Sequence, residues 1–382
     1  MEVRKELSML GMGCMRFPRD KAETERMILA AIDSGINFFD TAYLYPGSEV
    51  TLGNILAKHN KRKEVFITTK LPLFLCKSEG DFDKHFAKQL ERLQTDYIDY
   101  YLLHSVSDYA QWEHLKKMGI EKWIAGKKAT GEIRKIGFSY HGTCADFLKI
   151  LDSYAWEICM LQYNYYDENY QAGVKGIKAA AKKGVPVVVM EPLLGGKLAT
   201  GLPKQAVDMF KDNNQNLTPA DWALWWLWNQ KEVTVVLSGM SSLQIVQDNI
   251  RSANNFRPLA DDELSVYGDV VDLFRKSYKI NCTGCNYCLP CPLGINIPAC
   301  LTAYNTSYVQ GFVTGMTFYM TSTAAIKKNP TSPHLCNGCG KCEKVCPQYL
   351  PIRRSLKKVA RRFEPLPLRV LLGVVRRVIG TS

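Results

Sequence analysis

The sequence predicts an α/β protein in which a TIM (β/α)8 barrel is followed by a smaller, mainly helical domain. Three observations support this fold class. The chain has 382 residues, enough for one barrel of about 250 residues and an appendage. Eight short apolar segments alternate with longer helical patterns, and nine of the 13 cysteines lie between residues 282 and 346. We therefore expect a barrel at residues 1–277, a second domain at 278–352 and a basic tail at 353–382.

Eight candidate strands, rich in β-branched and aromatic residues, lie at Leu10–Met15, Asn37–Thr41, Val65–Lys70, Tyr97–His104, Lys135–Ser139, Ile158–Gln162, Pro186–Met190 and Val233–Ser238. Helical patterns follow, among them Thr24–Ser34, Asp83–Leu93, Ala145–Asp152, Gln171–Lys183, Pro219–Gln230 and Asp261–Arg275. Nearly continuous apolar strands alternating with helices predict a parallel sheet covered by helices, and eight such units favour a closed barrel. An open doubly wound sheet usually begins with G-x-G-x-x-G, and Gly11-Met12-Gly13 lacks the third glycine, at Arg16.

The charge of the chain is concentrated at one end. The net charge is +12, and residues 352–382 contain nine Lys or Arg against one acid. Because the rest is close to neutral, the charge does not indicate a nucleic-acid-binding barrel. No run approaches the roughly 20 apolar residues that a membrane helix needs. We expect a cytoplasmic protein.

Two runs of regularly spaced cysteines predict iron–sulfur ligands. The first is Cys282, Cys285, Cys288 and Cys291, and the second is Cys336, Cys339, Cys342 and Cys346; a proline follows each run. The second run resembles the C-x2-C-x2-C-x3-C-P motif of bacterial ferredoxins, in which three cysteines bind one cubane and the fourth binds the other. That resemblance implies two 4Fe-4S clusters, one on Cys282, Cys285, Cys288 and Cys346, the other on Cys336, Cys339, Cys342 and Cys291. The two predicted clusters and the many thiols suggest an anaerobic source.

The alternative for these cysteines is a pair of structural zinc sites, since C-x2-C pairs also bind zinc. Zinc needs two such pairs for each ion, which fits three evenly spaced cysteines poorly. The remaining thiol, Cys300, is expected to be a core residue. The segment Ile297–Tyr319 has a helical pattern, which favours an all-helical dicluster ferredoxin-like domain.

A motif at the second candidate strand carries a family resemblance. The segment Asn37–Glu49, NFFDTAYLYPGSE, resembles the D-T-A-x-x-Y-G-x-E signature of aldo/keto reductases. The likeness continues at VFITTK, which ends at Lys70, and at DYYLLH, which ends at His104. It covers residues 7–255 and implies a catalytic tetrad, which is Asp40, Tyr45, Lys70 and His104.

These residue types suit carbonyl reduction. A carbonyl that accepts hydride develops negative charge on oxygen and needs a proton there. Tyr45, with a free pKa of about 10, becomes a better donor beside the ammonium of Lys70. Asp40 would orient Lys70, and His104 would donate a hydrogen bond to the carbonyl oxygen. Taken singly, each of these residues has an ordinary alternative as a surface, capping or core residue.

Further segments resemble the family's nicotinamide-dinucleotide site. They contribute the expected cofactor-binding residues Gly13, Met15, Ser139, Gln162, Leu193, Gly195, Gly239, Ser241 and Asn249. The glycine loop after the seventh strand would bring backbone N–H groups to a pyrophosphate. The segment from Ser238 to Asn249 resembles the family's loop and helix for the adenosine phosphate. Two positions depart from the family pattern. Tyr140 replaces the usual Asn, and Ile245 replaces an Arg or Gln four residues before Asn249, so the resemblance implies NADP or NAD without deciding between them.

The two halves allow three functions. In the first, which we favour, the barrel reduces a small carbonyl substrate and the clusters are structural or sensory. In the second, a ferredoxin-like or other redox protein feeds electrons through the clusters into the barrel site, with or without a nicotinamide. In the third, the barrel is a modified scaffold of an electron-transfer protein. The segment Leu366–Ile379 is expected to form a helix that packs on the cluster domain. The alternative is a cationic amphipathic helix that binds a membrane surface or an acidic redox partner.

Overall fold

A computed structural model describes residues 7–323, 325 and 330–369. The chain forms two compact units. One comprises Met1–Leu193 and Asp221–Ala260, and the other comprises Leu194–Ala220 and Asp261–Ser382. The second unit therefore contains the loop after the seventh strand as well as all nine clustered cysteines.

The strands of the first unit close into a barrel of eight parallel strands in sequential order. They are β1 (Leu10–Gly13), β2 (Phe38–Asp40), β3 (Phe66–Leu71), β4 (Ile98–Val106), β5 (Ile133–Tyr140), β6 (Ile158–Gln162), β7 (Val187–Met190) and β8 (Val235–Ser238). Closure is completed where β1 pairs with β8, with Gly11 opposite Leu237. Apolar side chains fill the interior, as β-branched runs such as Val187–Val189 require. The predicted TIM barrel is confirmed.

Sixteen α-helices occur in the described residues. The helices up to β7 are α1 (Lys21–Asp33), α2 (Ser48–Lys58), α3 (Glu79–Leu93), α4 (Tyr109–Lys117), α5 (Ile120–Ala129), α6 (Cys144–Ser153) and α7 (Gly173–Lys182). Those after β7 are α8 (Lys197–Thr200), α9 (Lys204–Asn213), α10 (Pro219–Trp228), α11 (Leu243–Asn254), α12 (Asp261–Ser277), α13 (Ile297–Val309), α14 (Phe312–Ser322), α15 (Lys341–Lys344) and α16 (Ile352–Phe363). Side-chain caps begin several of them; Asp20, for example, accepts hydrogen bonds from the N–H groups of Ala22 and Glu23.

The cysteine-rich segments of the second unit pack on a small helical core. Its buried members include Ile297, Leu301, Tyr319, Leu356 and Phe363. The helical pattern predicted over Ile297–Tyr319 is confirmed, but it forms two helices, α13 and α14, rather than one continuous helix. They are separated at Gly311, whose φ of 97° and ψ of 156° cannot continue a helix.

No helix in residues 7–323, 325 and 330–369 is both long and apolar enough to span a bilayer. The expected cytoplasmic location stays a prediction. Most of the predicted tail helix Leu366–Ile379 falls on residues 370–382, which lie outside the described residues.

Candidate functional site

Three side chains of the predicted tetrad lie at the carboxyl ends of adjacent strands. Asp40 is the last residue of β2, and Lys70 and His104 lie near the ends of β3 and β4. Tyr45 is in the loop that follows β2. Because parallel strands end at one rim of a barrel, the fold brings all four residues to the same rim.

Lys70 is the centre of the group. Its side chain is 1% exposed, and its Nζ donates hydrogen bonds to Asp40 Oδ1 at 2.6 Å and to the carbonyl oxygen of Thr41 at 2.9 Å. The hydroxyl oxygen of Tyr45 lies 3.5 Å from the same Nζ. A contact of that length can shorten when a substrate binds. One buried ammonium therefore contacts both the carboxylate and the phenol.

Burial shapes the electrostatics of the site. Burial raises the pKa of Asp40, and the neighbouring Lys70 counteracts that effect. Burial lowers the pKa of His104 well below its ordinary value, and the positive charge of Lys70 lowers it further. His104 is therefore neutral at neutral pH, when an imidazole can donate one hydrogen bond and accept another.

A break in the β4–β5 pairing positions His104. The register between the two strands shifts between Leu103 and Val106, and Ser105 has a φ of 59°. The N–H of Ser105 donates to the Ser139 hydroxyl oxygen at 2.8 Å. Bulges of this kind redirect the neighbouring side chain. The ring of His104 meets the ring of Tyr45 edge-on, with 6.0 Å between centroids. Ser139, predicted as a cofactor contact, is thus also part of the support for His104.

A buried polar network behind Lys70 was not predicted from the sequence. Glu49 Oε1 accepts hydrogen bonds from Thr69 at 2.6 Å and from Gln89 at 2.9 Å, and Arg92 lies 3.0 Å from Glu49 Oε2. The same Gln89 amide donates to the backbone oxygen of Lys70 at 3.1 Å. Buried polar groups satisfied in this way hold a strand rigidly. Glu49 belongs to the signature segment, but Gln89 and Arg92 lie on α3 and carry no motif.

A second residue missed from the sequence is His141, directly after β5. Burial lowers the pKa of His141 to about 4; a hydrogen bond with Gln171 opposes this effect and the charge of Lys70 adds to it. Gln171 donates to Gln162 Oε1 at 3.3 Å, and Gln162 donates to Asp167 at 3.1 Å. The predicted cofactor residue Gln162 is thereby part of a polar chain that reaches His141. The position of His141, one residue after the end of β5, is the feature of the sequence that could have identified it as a site residue.

The other predicted dinucleotide residues of the barrel surround the ends of β1, β7 and β8. Asn249 donates to the Ser238 hydroxyl at 2.6 Å, and both residues are buried. Gly13 pairs with Asp40 across the β1–β2 register. Met15 and Leu193, which follow β1 and β7, are partly exposed.

The amino-terminal end of α11 is the expected position of the adenosine phosphate. Ser242 caps the helix, and Ser241 beside it is exposed, as is the open side of Gly239. A helix amino terminus favours anions. Here, however, the carboxylate of Glu23 already accepts a hydrogen bond from the Leu243 N–H at 3.3 Å.

Gly195 lies in the second compact unit and approaches a cysteine segment. Its φ is 69°, and a β-carbon at this position would overlap the backbone carbonyl oxygen of Thr283. Thr283 directly follows Cys282. The glycine expected to approach a pyrophosphate therefore also permits close packing against the first cysteine run.

The eight cysteines of the two runs line two cavities in the second unit. One cavity is lined by Cys282, Cys285, Cys288 and Cys346. The other is lined by Cys336, Cys339, Cys342 and Cys291, and Cys288 also reaches it. Four thiols around one space match in number the four iron corners of a cubane. These residues could hold one cluster in each cavity.

The neighbours of two thiols show the same grouping. Burial raises the pKa of Cys288 to about 12, and the charges of Cys282, Cys285 and Cys346 contribute to the rise. Burial also raises the pKa of Cys342, for which the contributing thiols are Cys336 and Cys339. Thiols this close together ionise less readily, because neighbouring thiolates repel one another. A bound metal would supply the positive charge that compensates this repulsion. Cys300 is fully buried in the helical core.

Two buried polar side chains attach the cysteine segments to the helices. Asn305 of α13 accepts hydrogen bonds from the N–H groups of Lys279 and Ile280 at 3.1 and 3.0 Å, just before Cys282. Glu364, after α16, accepts from Tyr319 at 2.8 Å and pairs with His334, two residues before Cys336. No motif distinguishes Asn305 or Glu364 in the sequence.

Comparison with known proteins matches each of the two parts of the chain to a protein family or domain. Residues 9–269 match the aldo/keto reductase family, and residues 281–363 match the 4Fe-4S dicluster domain. An aldo-keto reductase of Mycolicibacterium vanbaalenii is 31% identical, over 60% of this chain and 77% of its own length. L-galactose dehydrogenase of Arabidopsis thaliana is 29% identical over the same shares. An uncharacterized oxidoreductase of Bacillus subtilis, YqkF, is 24% identical over 68% of this chain and 91% of its own.

Among solved structures, the holo form of an aldo-keto reductase from Bacillus halodurans resembles this chain with a TM-score of 0.59. The two are 24% identical, and the likeness covers 70% of this chain and 95% of the other. At that identity the likeness shows the fold.

Proposed function

This chain belongs to the aldo/keto reductase family, and from that premise we propose that its barrel reduces a small aldehyde or ketone, with Tyr45 as the proton donor. A bound NADH or NADPH would supply the hydride. The second domain would carry two 4Fe-4S clusters in the cysteine-lined cavities. Family membership makes the chain an oxidoreductase that depends on NAD(P)H; the proton donor, the substrate class and the cluster number are the proposal.

The contact between Lys70 and Tyr45 carries the proposal. A phenol releases its proton more readily when a cation stands beside the resulting phenolate. The Nζ of Lys70, 3.5 Å from the Tyr45 hydroxyl, is held in place by Asp40 and by the Thr41 carbonyl. Tyr45 would donate its proton to the substrate oxygen as that oxygen becomes negative.

His104 would orient the substrate. Since burial keeps its imidazole neutral, His104 can donate a hydrogen bond to a carbonyl oxygen without placing a second positive charge beside Lys70. The ring of His104 lies edge-on to the ring of Tyr45, with 6.0 Å between centroids, so the two side chains are close enough to contact one substrate. A substrate oxygen between Tyr45 and His104 would receive both hydrogen bonds.

The end of α11 favours NADH over NADPH. A 2′-phosphate carries about two negative charges, and the Glu23 carboxylate at this helix end would repel it. Ile245, at a position that usually carries Arg or Gln in the family, is an exposed apolar side chain and offers no charge or hydrogen bond to a phosphate. A ribose hydroxyl, by contrast, could share the site with Glu23 through a hydrogen bond.

The test is anaerobic oxidation of NADH and NADPH in the presence of a panel of small aldehydes and ketones. We expect carbonyl-dependent oxidation that is faster at low concentrations of NADH than of NADPH. Loss of this rate in Tyr45→Phe, with unchanged binding of the nucleotide, would support the assigned proton donor. A full rate in Tyr45→Phe would refute it.

A further inference from the structure

One face of the second unit combines an exposed cysteine with an exposed set of basic side chains. Cys339 is exposed, whereas the other seven cysteines of the two runs are partly buried. A groove beside it is lined by the loop Cys336–Gly338 and, from α16, by Arg353, Arg354 and Lys357. The predicted second cluster would therefore lie next to a surface that is both open and positive.

Helix α16 has a mainly apolar buried side and a basic exposed side. Its buried side is formed by Ile352, Ser355, Leu356, Val359 and Phe363. Its exposed side is formed by Arg353, Arg354, Lys357, Lys358 and Arg361. Such a pattern fixes the helix to the core through one stripe and leaves the cations in solvent.

Acidic side chains do not neutralise this face. Residues 330–369 contain nine Lys or Arg and two acids, Glu343 and Glu364. Glu343 is paired with Arg353 at 2.8 Å, and Glu364 is buried. Within the described part of the chain, Arg354, Lys357 and Lys358 have no ion-pair partner. A surface with this charge attracts an anionic partner over a distance of about one Debye length, ~8–10 Å.

We propose that this basic face docks a small acidic protein that carries one electron. The proposal rests on the proposed second cluster but not on carbonyl reduction by the barrel. The basic side chains would steer and orient the carrier, and the exposed Val345, 50% accessible, would supply apolar contact near the cluster cavity. One electron would leave the reduced carrier and enter the oxidised cluster, with no bond made or broken.

Two other functions of the same cations make different predictions. If the cations only offset the negative charge of the cluster, removing them would shift the cluster potential without affecting any protein partner. If they bind an anionic membrane surface, the protein would sediment with vesicles that contain phosphatidylglycerol. The test separates these three cases.

The experiment uses full-length protein with its iron and sulfide intact and an acidic flavodoxin as the probe. The variant Arg354→Glu/Lys357→Glu/Lys358→Glu reverses three exposed charges on α16. The matched control, Lys175→Glu/Lys178→Glu/Lys182→Glu, makes the same change of net charge at exposed positions of α7. Binding is measured by calorimetry at several salt concentrations, and cluster reduction by the reduced flavodoxin is followed by absorbance.

We expect wild type and the α7 control to bind flavodoxin at low salt, with affinity that falls as salt rises. The α16 variant should bind at least tenfold more weakly and accept electrons correspondingly more slowly, at an unchanged cluster potential. Equal binding by all three proteins would overturn the proposal. So would a shifted potential with unchanged binding, or binding to vesicles but not to flavodoxin. Carbonyl reduction with NADH is measured on the same samples, so a failed reductase assignment would be seen separately.

Discussion

The Nζ of Lys70 lies 2.6 Å from Oδ1 of Asp40, and both side chains are buried. In a barrel, this ion pair links the ends of two neighbouring strands, β2 and β3. If one member of a buried pair is removed, the other charge remains in an apolar environment without a partner. The pair therefore contributes both to the stability of the barrel and to the chemistry proposed for Tyr45.

Replacing Tyr45 by Phe should abolish most carbonyl reduction. The variant loses the proposed proton donor, and we expect the rate to fall by roughly 10²–10⁴-fold. Tyr43→Phe is the matched control, because Tyr43 lies in the same loop and packs against His85 and Arg92. Steady-state oxidation of NADH measures both variants. Equal losses in the two would indicate loop damage rather than loss of a proton donor.

The Lys70–Asp40 pair allows stability to be separated from catalysis. Lys70→Met should lose activity and destabilise the barrel by about 3–5 kcal/mol, because Asp40 remains buried without its partner. Combining it with Asp40→Asn should restore much of that stability but none of the activity. Denaturation followed by tryptophan fluorescence is suitable, since all seven tryptophans lie between residues 112 and 228, in the barrel unit. Recovery of activity in the double variant would contradict the role given to Lys70.

Acid should destabilise the barrel partly through His141. The pKa of His141 in the folded protein is about 4, below the ordinary histidine value of 6.5, so the unfolded chain binds a proton between these pH values that the folded chain does not. The free energy of unfolding therefore keeps its whole contribution from neutral His141 above pH 6.5. That contribution is lost as the pH drops toward 4, and the loss is about 3 kcal/mol at most.

His141→Asn removes this titration and should flatten the tryptophan-monitored stability profile in that window. His104 shifts in the same direction and should leave part of the slope. His114→Asn, at an exposed position, is the matched control for the loss of one imidazole. An unchanged slope in the His141 variant would rule out the contribution.

Gly195 and Gly196 provide a matched pair for the loop packed on the first cysteine run. Both have positive φ, 69° and 93°, but a β-carbon would meet the Thr283 carbonyl only at Gly195. Gly196→Ala should cost about 1 kcal/mol of backbone strain. Gly195→Ala should cost more and speed the loss of iron to a chelator. Identical iron loss in the two variants would show that the contact with Thr283 does not support the cysteine segment.

The cysteine grouping predicts which variants lose iron. Cys346→Ala and Cys282→Ala remove thiols from the same cavity, so the double variant should lose about as much iron as either single one. Cys346→Ala with Cys336→Ala should lose iron from both cavities. Cys300→Ala, in the buried core, should keep its iron. Iron and sulfide quantitation on anaerobically purified protein provides the measurement. Additive loss in the first pair would contradict the grouping.

Much of the architecture follows from local sequence. Apolar β-branched runs such as Val187–Val189 predicted the strands, and their alternation with helices predicted the closed barrel, because each strand needs a helix to cover it. The tetrad residues could be named because the segment Asn37–Glu49 and the segments that end at Lys70 and His104 resemble the aldo/keto reductase signature. The cysteine spacing likewise predicted a cluster domain, since thiolates separated by two residues can bind several irons of one 4Fe-4S cluster.

Other features depend on contacts between segments far apart in the chain. The helix expected over Ile297–Tyr319 is divided at Gly311, because the packing of α13 and α14 requires a turn that the apolar pattern conceals. The Gln89 amide reaches Lys70 from another element, and His141 gains its low pKa from burial that no short segment encodes.

The sequence by itself determined the periodic and spaced features of this protein: the order of strands and helices, the positions of the residues predicted as a tetrad, and the cysteine runs. These depend on neighbours within a few residues. Tertiary structure alone decided that Lys70 contacts both Asp40 and Tyr45, that Gly195 meets Thr283 and that α16 exposes its cations beside Cys339. The distances between these side chains, their burial and the electrostatic field around them arise only when segments far apart in the sequence pack together. The local sequence pattern therefore does not predict them.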